Sequence, residues 1–169
     1  NRDIDKYDNP VIEIPLSDLK AAGSKVSQKF KDALRLAIAN IEKFHAAQRP
    51  PDREVDTMPG VKCTFRTVPY ERVGLYIPGG TAPLLSSVPM LAVPAQVAGC
   101  KELIVCTPPN PIPELLYALS LFNVRVFRVG GAQAIAAMAF GTESIPKVDK
   151  IFGPGNRYVT EAKVMVSAM

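Results

Sequence analysis

The segment Val73-Gly74-Leu75-Tyr76-Ile77, running into Pro78-Gly79-Gly80-Thr81, decides the fold. Five apolar or small residues in a row, rich in β-branched and aromatic types and cut off by Pro-Gly, read as a short strand buried on both faces. Three further runs have the same character: Leu103-Ile104-Val105-Cys106-Thr107, Val124-Arg125-Val126-Phe127-Arg128 and Asp149-Lys150-Ile151-Phe152. After each comes a small-residue loop and an Ala/Leu-rich stretch of helical length. Strand alternating with helix predicts an α/β fold with a mainly parallel sheet and helices on both faces, because every parallel crossover needs a helix-sized connection.

Outward from this core, the composition changes. Of the 36 charged residues, 24 fall in positions 1–73. Within that zone Val26, Phe30, Ala33, Ala37, Ile41 and Phe44 recur at spacings of three and four, an apolar stripe that predicts a helix over 24–48 ended by Pro50-Pro51. Arg49 to Gly60 reads as a linker. Val61, Cys63, Phe65 and Thr67 then alternate with Lys62, Thr64 and Arg66, the pattern of a half-buried strand. The organisation expected is therefore a helical arm and linker over residues 1–60 and an α/β domain over 61–169. His45, near the end of the predicted helix, suits a capping or solvated role.

The whole-chain composition excludes several classes. At 169 residues, 47% apolar, 21% charged and a net charge of +4, the chain is that of an ordinary globular domain with enough core to need no disulfide staples. Cys63, Cys100 and Cys106 form no C-x-x-C pair, which points to a reducing, cytoplasmic setting and away from zinc on thiolates. A single histidine cannot supply a His-x-x-x-His site, so no metal ligand is assigned to these residues. The longest uncharged run, Val73 to Cys100, contains four prolines and four glycines, which disqualifies it as a membrane span. Lysines and arginines are interspersed with acids and form no basic run, so no nucleic-acid partner is expected. The chain opens on Asn1 and stops at Ala168-Met169 inside a helical pattern, so a piece of a longer polypeptide is expected.

In a parallel sheet ligands sit at the carboxyl ends of the strands. The loops there are Pro78-Gly79-Gly80-Thr81, Thr107-Pro108-Pro109-Asn110, Gly130-Gly131-Ala132-Gln133 and Gly153-Pro154-Gly155-Asn156. Glycine lets backbone N–H groups approach a ligand, and helix N-termini favour an anion such as pyrophosphate; the same residues also simply make turns. Tyr76, Gln133 and Asn156 are the candidate binding side chains, since they hydrogen-bond without titrating near neutrality. Gly153-Pro154-Gly155 opens a dinucleotide-type pattern whose third glycine place is Tyr158, so that match is weak. No Ser-His-Asp set, carboxylate pair or glycine-lysine phosphate loop is present, and no catalytic residue is assigned. Cys100 and Cys106 read as buried, inert thiols.

Three motifs carry a family resemblance: Glu71-Arg72-Val73-Gly74-Leu75-Tyr76-Ile77-Pro78-Gly79-Gly80, Val129-Gly130-Gly131-Ala132-Gln133-Ala134-Ile135-Ala136 and Phe152-Gly153-Pro154-Gly155-Asn156. In this order they resemble the histidinol dehydrogenases. The resemblance implies a Rossmann-like domain, a homodimer, zinc, and oxidation of L-histidinol through L-histidinaldehyde to L-histidine with two NAD+. It puts NAD contacts on Tyr76, Gln133 and Asn156. The zinc ligands and the catalytic Glu-His pair of that family have no matching motif in residues 1–169, so the expectation is an N-terminal portion, inactive alone. Another nucleotide-binding dehydrogenase and a non-enzymatic small-molecule-binding module are the alternatives.

Overall fold

The computed structural model describes residues 7–9, 11–79 and 84–168. In chain order it has strand β1 (Glu13–Ile14), helix α1 (Leu16–Ala21), a 3-10 turn (Ala22–Lys25), α2 (Gln28–Ala46), β2 (Arg53–Met58), β3 (Val61–Phe65) and β4 (Arg72–Tyr76). Then follow α3 (Ser87–Ala98), β5 (Glu102–Thr107), α4 (Pro113–Ser120), β6 (Val124–Arg128), α5 (Gly131–Phe140), β7 (Lys150–Phe152) and α6 (Arg157–Ser167). All four strands expected in the second zone form within a residue or so of their predicted limits.

The main sheet has the order β1-β6-β5-β4-β7. Strands β6, β5, β4 and β7 are parallel, and β1 joins antiparallel to β6 with Glu13 opposite Phe127. Side chains alternate across the sheet. Leu103 and Val105 face a core shared with α3, α4 and the N-terminal arm, whereas Ile104 and Cys106 face one shared with α5 and α6. Burial on both faces is why these strands read as continuous apolar runs; each Leu, Ile or Phe so buried contributes roughly 1.5–3 kcal/mol. Steps from β4 to β5 to β6 go one way across the sheet, and the step from β6 to β7 reverses past β4. The carboxyl ends of β4 and β7 therefore flank a topological switch point, where ligands of such folds bind.

Helix α2 starts at Ser27, whose hydroxyl accepts from the Phe30 N–H at 3.3 Å. Its inward face keeps Val26, Phe30 and Ile41 of the predicted stripe and is turned from it by roughly half a residue, about 50°. Val26, Phe30, Leu34, Ile38 and Ile41 meet the core, while Ala33 is exposed and Phe44 is 64% exposed. Spacing alone admits either Ala33 or Leu34 at that turn; burying the larger side chain removes more apolar area from water, so Leu34 wins.

The stretch read as a linker holds a strand. β2 pairs antiparallel with β3 around Pro59-Gly60, Gly60 taking the positive φ of 82° that such a turn requires. A register shift between Asp56 and Met58 breaks the two-residue alternation and hid the strand in the sequence. β3 is not half-buried: every residue of the hairpin is exposed.

The N-terminal strand is tied down by Arg125, whose guanidinium donates two 2.8 Å hydrogen bonds to the Glu13 carboxylate. That hydrogen bonding, opposed by slight burial, holds the Glu13 carboxyl below its usual 4.5. A depressed carboxyl stabilises the fold above its unfolded value and loses that contribution as pH falls through the folded one. Glu13→Gln is expected to cost about 0.5–1 kcal/mol at pH 7, since both side chains remain substantially solvated. The difference from the parent should shrink as pH falls from 4.5 through the lower folded value in urea titrations.

Candidate functional site

The glycines at the carboxyl ends of the strands have packing reasons of their own. A Cβ on Gly130 would sit 2.9 Å from Pro108 Cγ, and one on Gly79 3.1 Å from the same atom, so the loops after β4, β5 and β6 close on one another around Pro108. Gly153, with φ 127°, backs directly onto the Tyr76 carbonyl. A Cβ on Gly155 would run into the Val159 side chain in the first turn of α6. Gly80 and Thr81 of the first loop lie outside the described residues.

Tyr76 joins these loops. Its carbonyl packs on Gly153 after β7, and its hydroxyl accepts from the Gly131 N–H at 3.0 Å at the start of α5. The ring is buried, only 4% exposed, on the α5 side of the sheet. Gln133 stands in the first turn of α5 with its Oε1 2.9 Å from where a Gly131 Cβ would be, so its amide folds over that same glycine. Asn156 caps α6: its Oδ1 accepts from the N–H groups of Tyr158 and Val159 at 3.0 and 3.1 Å. The structure thus brings Tyr76 and Gln133 together over Gly131, and connects them through Gly153 to the turn that carries Asn156.

Two further groups belong to this edge, and neither was singled out from sequence. The Lys163 ammonium donates to the Gly153 carbonyl, and partial burial pulls its pKa down. Seven residues separate Lys163 from Asn156, two helical turns, so both lie on one face of α6 and the long side chain points back towards the loop. Thr107, at the end of β5, is buried with no hydrogen-bond partner for its hydroxyl. Cys106 next to it is inert, because burial pushes its thiol up to about 12. Among the described residues no three His, Cys, Asp or Glu side chains converge as a metal set.

The histidinol dehydrogenase family model matches residues 1–169, the whole chain. The chain belongs to the histidinol dehydrogenase family. It is 55% identical over 164 residues to histidinol dehydrogenase of Escherichia coli (strain K12), and 54% identical to that of Salmonella typhimurium. Each match takes in 96% of this chain and 38% of the relative, so the chain spans well under half the length of these histidinol dehydrogenases. The crystal structure of histidinol dehydrogenase from Elizabethkingia anophelis superposes with a TM-score of 0.94 at 45% identity, covering 99% of this chain and 40% of that one. The histidinol dehydrogenase match extends over the arm and hairpin as well as the sheet. No helix among the described residues is long and apolar enough to cross a membrane.

Proposed function

We propose that these residues are the NAD-binding, N-terminal portion of a zinc-dependent, cytoplasmic, homodimeric enzyme that oxidises L-histidinol to L-histidine, inactive without the rest of the polypeptide. The observation that carries this reading is the meeting of Tyr76, Gln133 and the Asn156 turn at the switch point of a chain 55% identical to a histidinol dehydrogenase. The donor set suits a dinucleotide. Helices α5 and α6 both point their N-termini at this edge, where their partial positive charge favours phosphate.

In the bound state Gln133 would hydrogen-bond the cofactor through its amide, Asn156 would offer its amide N–H groups while its oxygen keeps α6 capped, and Tyr76 would hold the two loops in register. NAD+, when bound, supplies the hydride acceptor. Residues that shape a cofactor site contribute by fixing its orientation before reaction. The described residues do not fit zinc, and none is assigned to holding the metal or to moving the substrate proton.

Substitutions at Asn156 separate its cap from its amide. Asn156→Asp keeps an acceptor for the Tyr158 and Val159 N–H groups but replaces the amide donor with a negative charge. It should leave stability within about 0.5 kcal/mol and raise the KM for NAD+ roughly tenfold or more. Asn156→Ala should lose about 1 kcal/mol of stability as well. These constants are measured on residues 1–169 joined to the C-terminal portion of the Escherichia coli relative; an unchanged KM for NAD+ in Asn156→Asp would reduce Asn156 to a helix cap.

A further inference from the structure

The β2–β3 hairpin is amphipathic. Pairing puts Arg53 opposite Phe65, Val55 opposite Cys63 and Met58 opposite Val61 on one side, with Glu54, Asp56, Lys62 and Thr64 on the other. On the charged side Lys62 meets Glu54 at 2.7 Å. On the apolar side Val55, Met58, Val61 and Phe65 are between 44% and 62% exposed. A two-stranded hairpin is marginal in water without a covered apolar face. Past Phe65 the chain passes at Thr67 into the wall of a groove of about 440 Å³ lined by Val68, Tyr70, Met90 and Phe152, with His45 of α2 and Arg49 just beyond it on the same wall.

We propose that the apolar side of the hairpin and this groove are together the seat of the polypeptide that follows α6 in the longer chain, so that residues 53–70 form one half of a core completed by the C-terminal portion. The chain's course supports this occupant. The last turns of α6, Lys163 to Ser167, line a cavity with Lys147 to Ile151, which places the end of α6 at the amino edge of the sheet. Val68 to Tyr70 enter β4 at that same edge. Helices α5 and α6 lie on one face, and the right-handed step through α5 moved the chain past β4 to β7. The same hand through α6 delivers the following strand to the free side of β7, where Phe152 stands exposed in the groove. The relatives contain enough further chain, since this one covers only 38% of their length.

Cys63 stands on the apolar face and is exposed, whereas Cys106 is buried. Alkylation of Cys63 is followed by mass spectrometry in the 169-residue chain and in the same residues joined to the Escherichia coli C-terminal portion, with Cys106 reporting folding. The proposal expects Cys63 to react at least tenfold more slowly in the joined chain, and equally fast at every concentration of the short one. Equal rates in the two chains, with Cys106 protected, would overturn it by showing the face open. Protection that grows with the concentration of the short chain would overturn it in favour of a second copy. If joining exposes Cys106, the comparison moves to the full-length Escherichia coli enzyme, with cysteine placed at the position aligned with Cys63 and protection scored against its 169-residue counterpart. The proposal rests on the chain being the N-terminal portion of a histidinol dehydrogenase, which histidinol-dependent NADH formation tests separately.

Discussion

Gly153→Ala is expected to lower the melting temperature by about 10 °C, the largest effect of any methyl addition at the carboxyl edge of the sheet. Its Cβ would lie 2.1 Å from the Tyr76 carbonyl oxygen, backbone that cannot swing aside as a side chain can. Its φ of 127° adds strain for any L side chain. Together these cost about 3–4 kcal/mol. Gly60→Ala is the control: φ is 82° there but nothing lies within 4 Å, so only the backbone cost of about 1 kcal/mol remains. Equal losses in the two variants by thermal melts would mean that Gly153 does not back onto β4. Because the same glycine leads to Asn156, any folded Gly153→Ala protein should also bind NAD+ more weakly.

Phe127→Ala should cost a comparable amount, about 3–5 kcal/mol in urea titration. Phe127 is fully buried in the core beneath α5 and α6, opposite Glu13 in the β1–β6 pairing. Truncation leaves a cavity in the middle of the sheet that neighbouring strands cannot collapse into without breaking their ladders. Phe44→Ala, at an exposed position on α2, should stay within about 0.5 kcal/mol. A loss at Phe44 as large as that at Phe127 would contradict the burial pattern on which the two-faced core rests.

The parallel sheet was legible because its strands are buried on both faces, and the runs at 103–107 and 124–128 carry that signature without interruption. The hairpin was not legible in the same way. The bulge after Asp56 breaks its alternation, and its apolar face has no cover among the described residues, so nothing in the pattern distinguishes Arg53–Met58 from a charged linker. The α2 stripe was legible in period but not in phase, since Ala33 and Leu34 compete at one turn and only packing decides between them. At the site, Tyr76, Gln133 and Asn156 stood out as hydrogen-bonding side chains beside glycines. Sequence did not disclose that Tyr76 acts as a tie between loops, because its partner Gly131 is 55 positions away. It did not disclose Lys163 either, although a spacing of seven from Asn156 is a signal that helical geometry makes usable.

The most direct measurement is NADH formation and zinc content of residues 1–169, alone and joined to the C-terminal portion of Escherichia coli histidinol dehydrogenase. Histidinol-dependent NADH formation and stoichiometric zinc are expected in the joined chain, and neither in residues 1–169 alone, which carry one histidine and three cysteines and whose described residues form no metal set. A folded joined chain that forms no NADH, or a purified 169-residue chain that binds one zinc and oxidises histidinol, would contradict it.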